Sequence, residues 1–388
     1  MSTLLRLLGL LGVLVPLAAT QSRTAPPALA HEGVIGNLEV VATFNGPMPT
    51  GVTVSRTGRI FVNFPRWDDP VEFTVAELKN GQAVPYPNLD MNRLDLHDQE
   101  NHFISVQSVV VDAKDRLWIL DTGSVKMAPT SPGGPKLIGI DLETNRIFAK
   151  IVFPPDVALK TSYLNDVRLN LRFGREGAAF ITDSSSSGPN AIIVVDLASG
   201  KAWRRLHQHV SVRAEPGFVP IVEGERLEMK LPAGNSLPFT VGVDGIAISS
   251  DGKTIYYCPL SSRHLYSVSA EALYDVSKNE AYVEGTVEDL GEKGASDGME
   301  SDAEGRLYAG DHENDSIFRR NADRSWTTLV HDPRILWPDT LSVAGDGYLY
   351  FTVNQLERSP RFHDGEDLRK KPYVLFRTKI DGTPITLK

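Results

Sequence analysis

Five polar residues recur at positions where they could work together. Gln107, Asp166, Asp244, Asp297 and Asp339 each open a short apolar run that ends in an Asp/Gly turn, as Thr50 opens the first such run. In five of these six runs the opening residue precedes the turn residue by eight positions, and around Asp166 extra residues between Asn170 and Glu176 stretch the spacing to eleven. Carboxylates gathered at one place repel each other unless protons, cations or basic side chains offset them. Such a group can take a proton from one atom of a substrate and return it to another, with Asp166, Asp244 and Asp297 as the candidate catalytic groups. Phe64-Pro65-Arg66-Trp67 adds Arg66, able to steady a developing oxyanion, and Trp67, whose face can stack on a cationic ligand.

The elements that must position these residues are hairpins. Each run alternates apolar and polar residues, turns at Asp or Gly, and resumes with a large apolar or aromatic residue, as in Gln107-Ser108-Val109-Val110-Val111 to Asp115-Arg116-Leu117-Trp118. Alternation plus this turn chemistry predicts a β-hairpin. The opening residues recur after 57, 59, 78, 53 and 42 residues, enough for four strands each, which predicts an all-β, six-bladed β-propeller. Third and fourth strands are legible at Ala191–Leu197 with Ala202–Leu206 and at Ser316–Arg320 with Ser325–Val330. Leu38–Phe44 has no hairpin partner of its own and is expected to close the ring beside Tyr373–Thr378, making residues 36–388 one domain. The Pro-, Glu- and Gly-rich stretch Val210–Pro238 is expected to run over one face.

In an antiparallel hairpin the start of the first strand and the end of the second share an edge. If the first strand lines the channel, the opening residues ring one mouth together with Asp121, Asp183, Asp311 and Asn354, and Arg66 and Trp67 reach the same mouth. The expected ligand-binding set is therefore Arg66, Trp67, Gln107, Asp121, Asp183, Asp339 and Asn354.

Composition narrows the function. The 388 residues carry 40 Lys+Arg against 49 Asp+Glu, a net charge of −9, which disfavours nucleic acid or anionic lipid as a partner. A single cysteine, Cys258, excludes an intramolecular disulfide and a cysteine zinc cluster. Met1–Arg6 is a basic leader, Leu7–Ala19 an apolar stretch too short to span a bilayer, and Ala18-Ala19-Thr20 a cleavage-type sequence. Residues 1–20 are read as an export signal and 21–35 as a linker, predicting a secreted or periplasmic protein without a membrane span. Gly294-Ala295-Ser296-Asp297-Gly298 matches a nucleophile-elbow pattern, but a strand follows it where a helix is required. Asp311-His312-Glu313-Asn314-Asp315 lacks metal-loop spacing and is read as a solvated loop, and His207 and His209 as a surface pair on one strand face.

Four stretches resemble the Yellow/major royal jelly protein family: Gly51–Trp67, Ser105–Gly123, Tyr163-Leu164-Asn165-Asp166-Val167-Arg168 and Ile181-Thr182-Asp183-Ser184. The Asp297-Gly298-Met299-Glu300 hairpin extends the similarity. The resemblance implies a secreted six-bladed propeller that binds small aromatic or amine-bearing molecules centrally, some members being associated with dopachrome conversion (L-dopachrome tautomerase-related) and others with binding alone. A more distant similarity to gluconolactonase/regucalcin propellers implies one divalent cation, Ca²⁺ or Mg²⁺, on Asn165, Asp244 and Asp297, with Thr50 where those proteins carry a Glu. The leading expectation is an isomerase or tautomerase of dopachrome-like substrates needing no cofactor. The alternatives are a metal-dependent lactone hydrolase and a non-catalytic binder of aromatic or amine ligands.

Overall fold

The computed structural model describes residues 33–388 apart from 232 and 233; the expected export signal and most of the expected linker lie outside the described residues. Among these residues are six four-stranded antiparallel sheets. Blade 1 comprises Val52–Val54, Ile60–Asn63, Val75–Lys79 and Gln82–Pro85, and blade 2 Val106–Val111, Arg116–Asp121, Lys136–Asp141 and Arg146–Val152. Blade 3 comprises Leu164–Asn170, Ala178–Asp183, Ala191–Asp196 and Ala202–Arg205, and blade 4 Val243–Ile248, Thr254–Pro259, His264–Ser269 and Glu288–Glu292. Blade 5 comprises Met299–Ser301, Leu307–Asp311, Ser316–Arg320 and Trp326–His331. Blade 6 takes Pro338–Val343, Tyr348–Val353 and Tyr373–Lys379 from the end of the chain and Glu39–Phe44 from its beginning, with Phe44 opposite Tyr373.

The innermost strands are buried on both faces because each is flanked by neighbouring blades; every residue of Val243–Ile248 and Pro338–Val343 is buried. Aliphatic and aromatic side chains fill the space between blades, for example Phe180, Ile192 and Val194 of blade 3 against Val243, Ile246 and Tyr257 of blade 4. Each such side chain contributes roughly 1.5–3 kcal/mol. Polar ties repeat around the ring: Thr50 Oγ1 to the Gln107 carbonyl at 3.3 Å, Ser108 Oγ to Asp166 at 2.7 Å, and Thr182 Oγ1 to the Asp244 carbonyl at 2.8 Å. Thr352 Oγ1 returns to the Thr50 carbonyl at 2.5 Å, joining the last blade to the first. Two glycines serve the same packing: a Cβ on Gly245 would fall on the carbonyl oxygen of Asp297, and one on Gly298 on that of Asp339. The Asp-Gly pairs therefore mark where adjoining blades touch at the channel.

The stretch Val210–Pro238 forms a 3₁₀ turn, Val210–Val212, and two small hairpins, Ile221–Val222 with Glu225–Arg226 and Glu228–Leu231 with Asn235–Pro238. His207 and His209 lie beyond the strand that ends at Arg205, so they do not share a strand face; His209 instead caps the 3₁₀ turn through Ser211 N.

Candidate functional site

A cavity of about 210 Å³ opens at the mouth where the first strands begin. Gln107, Asn165, Asp244, Asp297 and Asp339 line it from below, while Trp67, Tyr163, Phe239, Leu260 and Leu356 supply aromatic and apolar walls. Met229 and Phe239 bring the excursion and its exit onto the site. At this mouth the backbone departs from regular pairing. Register shifts fall between Val106 and Ser108, Leu164 and Val167, Val243 and Ile246, and Pro338 and Leu341. Each bulge contains one of the predicted opening residues, and a bulge turns side chains out of their regular alternation.

Three carboxyl groups face this cavity from near-complete burial. Burial raises Asp244 well above the usual carboxylate range, and the neighbouring Asp297 raises it further; a hydrogen bond to Asp297 leaves the proton on Asp244. Asp339 is likewise raised well above that range, first by burial and then by Asp297. Asp297 is raised less, to about 6, because the indole N–H of Trp337 donates to its Oδ2 at 2.7 Å and Asp244 supplies a second hydrogen bond. Asp297 is thus the most readily ionised of the three, and Asp244 and Asp339 hold their protons more strongly. Asn165 Nδ2 donates to Asp244 Oδ2 at 2.5 Å, and Asn354 Nδ2 to Asp339 Oδ2 at 2.6 Å, fixing both acids. The phenol of Tyr163 links the walls: it accepts from Trp67 Nε1 at 2.6 Å and donates to Gln107 Oε1 at 2.9 Å.

Other predicted site residues lie elsewhere. Asp166 does not line the cavity: Arg168 Nη1 donates to both its carboxylate oxygens at 3.0 Å, and Ser108 to Oδ1. Arg66 lies in a bend beyond the strand that ends at Asn63, where Trp67 N donates to the Pro65 carbonyl at 2.9 Å, and its guanidinium bonds the carbonyls of Asn92 at 2.5 Å and Val71 at 3.5 Å, away from the cavity lining. Lys160 and Arg361 are the basic residues that line the cavity instead, Arg361 lying 5.8 Å over the Trp67 ring.

Asp121 accepts from Ile104 N, Ser105 N, Gly123 N and Lys136 Nζ; Asp183 accepts from Ser162 Oγ, Tyr163 N and Arg204 Nη1. Both pin the loops behind the cavity rather than line it. The elbow-like Ser296 donates to the Gly310 carbonyl at 2.5 Å. Asp311 and His312 are buried rather than solvated, because His312 stacks on Trp337 with centroids 4.1 Å apart and planes at 11°.

Two of the residues weighed for a cation make other contacts. Thr50 turns its hydroxyl to Gln107 O and Asn63 Nδ2, outside the cavity lining, and Asn165 presents its amide nitrogen to Asp244.

These features define a six-bladed propeller with a buried acidic site at one mouth of its channel. A family profile described as "Major royal jelly protein" matches residues 104–369, and the chain belongs to that family. Major royal jelly protein 1 of Apis mellifera is 27% identical over 243 residues, covering 58% of this chain and 52% of that protein. Protein yellow of Drosophila erecta is 25% identical over 236 residues, covering 57% of this chain and 41% of that protein. The alignments thus span about half the length of these curated relatives or less. A solved calcium-binding regucalcin from Agrobacterium tumefaciens superposes with a TM-score of 0.53 at 15% identity, over 91% of this chain and 97% of that one. A gluconolactonase from Xanthomonas campestris gives 0.52 at 12% identity, over 88% and 89%. At such identities these two likenesses speak to the fold alone.

Proposed function

We propose that this chain is an exported small-molecule isomerase that moves a proton within an aromatic, quinone-like substrate of the dopachrome kind. One observation carries the reading: three buried carboxyl groups of unequal proton affinity share the floor of a small cavity with aromatic walls. Tautomerisation needs a base at one atom and an acid at another, with no net gain or loss of protons. Asp297 takes the proton from carbon. Asp244 or Asp339 returns one elsewhere, and Trp67 and Phe239 hold the ring plane. Lys160 and Arg361 at the lip suit a substrate carboxylate or a developing oxyanion, the role first expected of Arg66.

Relatives named for royal jelly and for Yellow are compatible with binding as well as catalysis, and the same cavity suits an aromatic amine paired to Asp297. The deciding experiment offers purified protein an aminochrome and, separately, an aromatic amine. Disappearance of the aminochrome absorbance, abolished in Asp297→Asn, supports isomerisation. Tight amine binding without turnover refutes catalysis and leaves the binding reading. Lactone hydrolysis lost on chelation would favour a cation at Asn165, Asp244 and Asp297 instead.

A further inference from the structure

Part of the excursion covers the acidic mouth. Its first hairpin, Ile221–Val222 with Glu225–Arg226, leads into the second, which carries Met229 onto the cavity. Val222 and Leu227 are buried in the same apolar cluster as Trp67, Leu260 and Leu356 of the cavity wall. Polar ties fasten the first hairpin to the blades. Ile221 N donates to Glu313 Oε1 at 2.8 Å, and Arg263 grips the same carboxylate with two hydrogen bonds. At the hairpin tip, between Val222 and Glu225, the Glu223 carboxylate accepts from Arg358 Nε at 2.8 Å and from Arg358 Nη2.

Arg358 belongs to the 3₁₀ turn Leu356–Arg358, which also supplies Leu356 to the cavity wall. The residue between them stands apart. Glu357 is 3% exposed, and neither of its carboxyl oxygens has a hydrogen-bond partner among the described residues. Charged groups face it from three elements: Glu223 from the hairpin, Asp315 from the loop of blade 5, and Arg358 from its own turn. Arg358 Nε lies 3.7 Å from Glu357 Oε1 but is committed to Glu223. His363 Nε2 donates to the Glu357 carbonyl at 2.9 Å, while the charges of His363 and Lys370 act on Glu223. An ionised carboxyl buried without a donor is costly, so this one keeps its proton. Burial, and then the Glu223 charge, push it up to about 8.

We propose that Glu357 is a pH-operated release on the cover of the acidic mouth: protonated, it leaves Arg358 to hold Glu223, and ionised, it draws Arg358 away and repels Glu223, freeing the first hairpin. The coupling is reciprocal. If the charge of clasped Glu223 disfavours ionisation of Glu357, ionisation of Glu357 disfavours the clasp to the same extent. With the hairpin lifted and Glu357 in water, the carboxyl returns to an ordinary pKa of about 4.3. Below that value both forms are protonated and the clasp has its full strength. Between there and about 8, opening releases a proton, so the closed form loses up to about tenfold per pH unit; above about 8 the loss levels off. Faster exchange of a ligand as pH rises rests on the acidic mouth being the ligand site; the clasp itself does not.

The test is hydrogen exchange of the full chain without ligand from pH 5 to 9, expressed as protection over intrinsic exchange. The Leu227 amide, which donates to the Pro220 carbonyl at 2.9 Å, reports the hairpin, and strand Ala191–Asp196 reports the blades. Relative to Glu357→Gln, hairpin protection in the unaltered chain should fall by up to about tenfold per pH unit between about pH 5 and 8, with no such difference in the strand. Should the Gln variant lose strand protection, Glu357→Met serves as the second non-ionising reference. Glu223→Gln should lower hairpin protection roughly two- to tenfold already at pH 5. A hairpin whose protection follows the same pH course with and without an ionisable residue 357, within about threefold, would overturn the proposal. So would Glu223→Gln with unchanged hairpin protection.

Discussion

Replacing Trp337 by Phe isolates the interaction that separates Asp297 from the other two acids. The indole N–H donates to Asp297 Oδ2 at 2.7 Å, and the ring stacks on His312 at 4.1 Å, a packing that Phe retains in part. A hydrogen bond to a charged group contributes roughly 1.5–3 kcal/mol, and each pKa unit corresponds to about 1.4 kcal/mol. The donor favours the ionised form, so its loss moves the Asp297 pKa upward, from about 6 to roughly 7. At pH 6.5 the carboxylate fraction then falls from about three quarters to about one quarter, and the acid limb of the turnover profile shifts up by about one unit. Difference infrared titration of the Asp297 carboxyl reads the same shift without substrate. Trp337 is nearly fully buried, so a melting curve must confirm a folded variant, with an expected loss of roughly 1–3 kcal/mol for the smaller ring. A folded Trp337→Phe protein with an unmoved acid limb and an unmoved carboxyl titration would refute the assignment of Asp297 as the base.

Other perturbations separate chemistry from scaffolding. Asp244→Asn and Asp339→Asn should each lower turnover by roughly 10²-fold or more, while a substrate analogue binds within severalfold by Trp67 fluorescence. Asp297 has a folded-state pKa above its unfolded value, so it favours folding at low pH, an advantage lost as pH rises from about 4 through about 6; Asp297→Asn should flatten the melting temperature across that window. Lys136→Met strands the buried Asp121 carboxylate, now 2.8 Å from Lys136 Nζ, and should cost roughly 3–5 kcal/mol in denaturant titration without changing affinity at the acidic mouth. Turnover resting on carboxyl groups alone should persist after exhaustive chelation; its loss, with recovery on adding Ca²⁺ or Mg²⁺, would replace the proton-transfer mechanism by the cation-assisted one. Cys258 is buried and its thiol pKa is raised by burial, so it should resist alkylation until the protein unfolds.

The propeller was legible because hairpin alternation and Asp/Gly turns are local and repeat. The site was legible only in part, because the side chains that matter sit in bulges, where alternation no longer tells which way a residue points. Gln107, Asp244 and Asp339 are turned into the cavity at such bulges, and Asp297 reaches it just before its strand begins. Asp166 is the instructive exception. It too sits in a bulge, yet Arg168, two residues on, turns back onto its carboxylate and neutralises it, so it was already partnered within its own strand.

Trp337, two residues before Asp339, left no such sign. Its partner Asp297 is forty positions away in another blade, and only the ring of blades brings the indole N–H to that carboxyl. Tyr163 is similar: it precedes Asn165 in sequence, yet its phenol bonds Trp67 and Gln107 of the first two blades. The chain therefore specifies the acids locally and their proton affinities non-locally. Substitutions remote in sequence, at Trp337 or Tyr163, should tune the chemistry of this mouth while the repeated hairpins, and with them the fold, stay as they are.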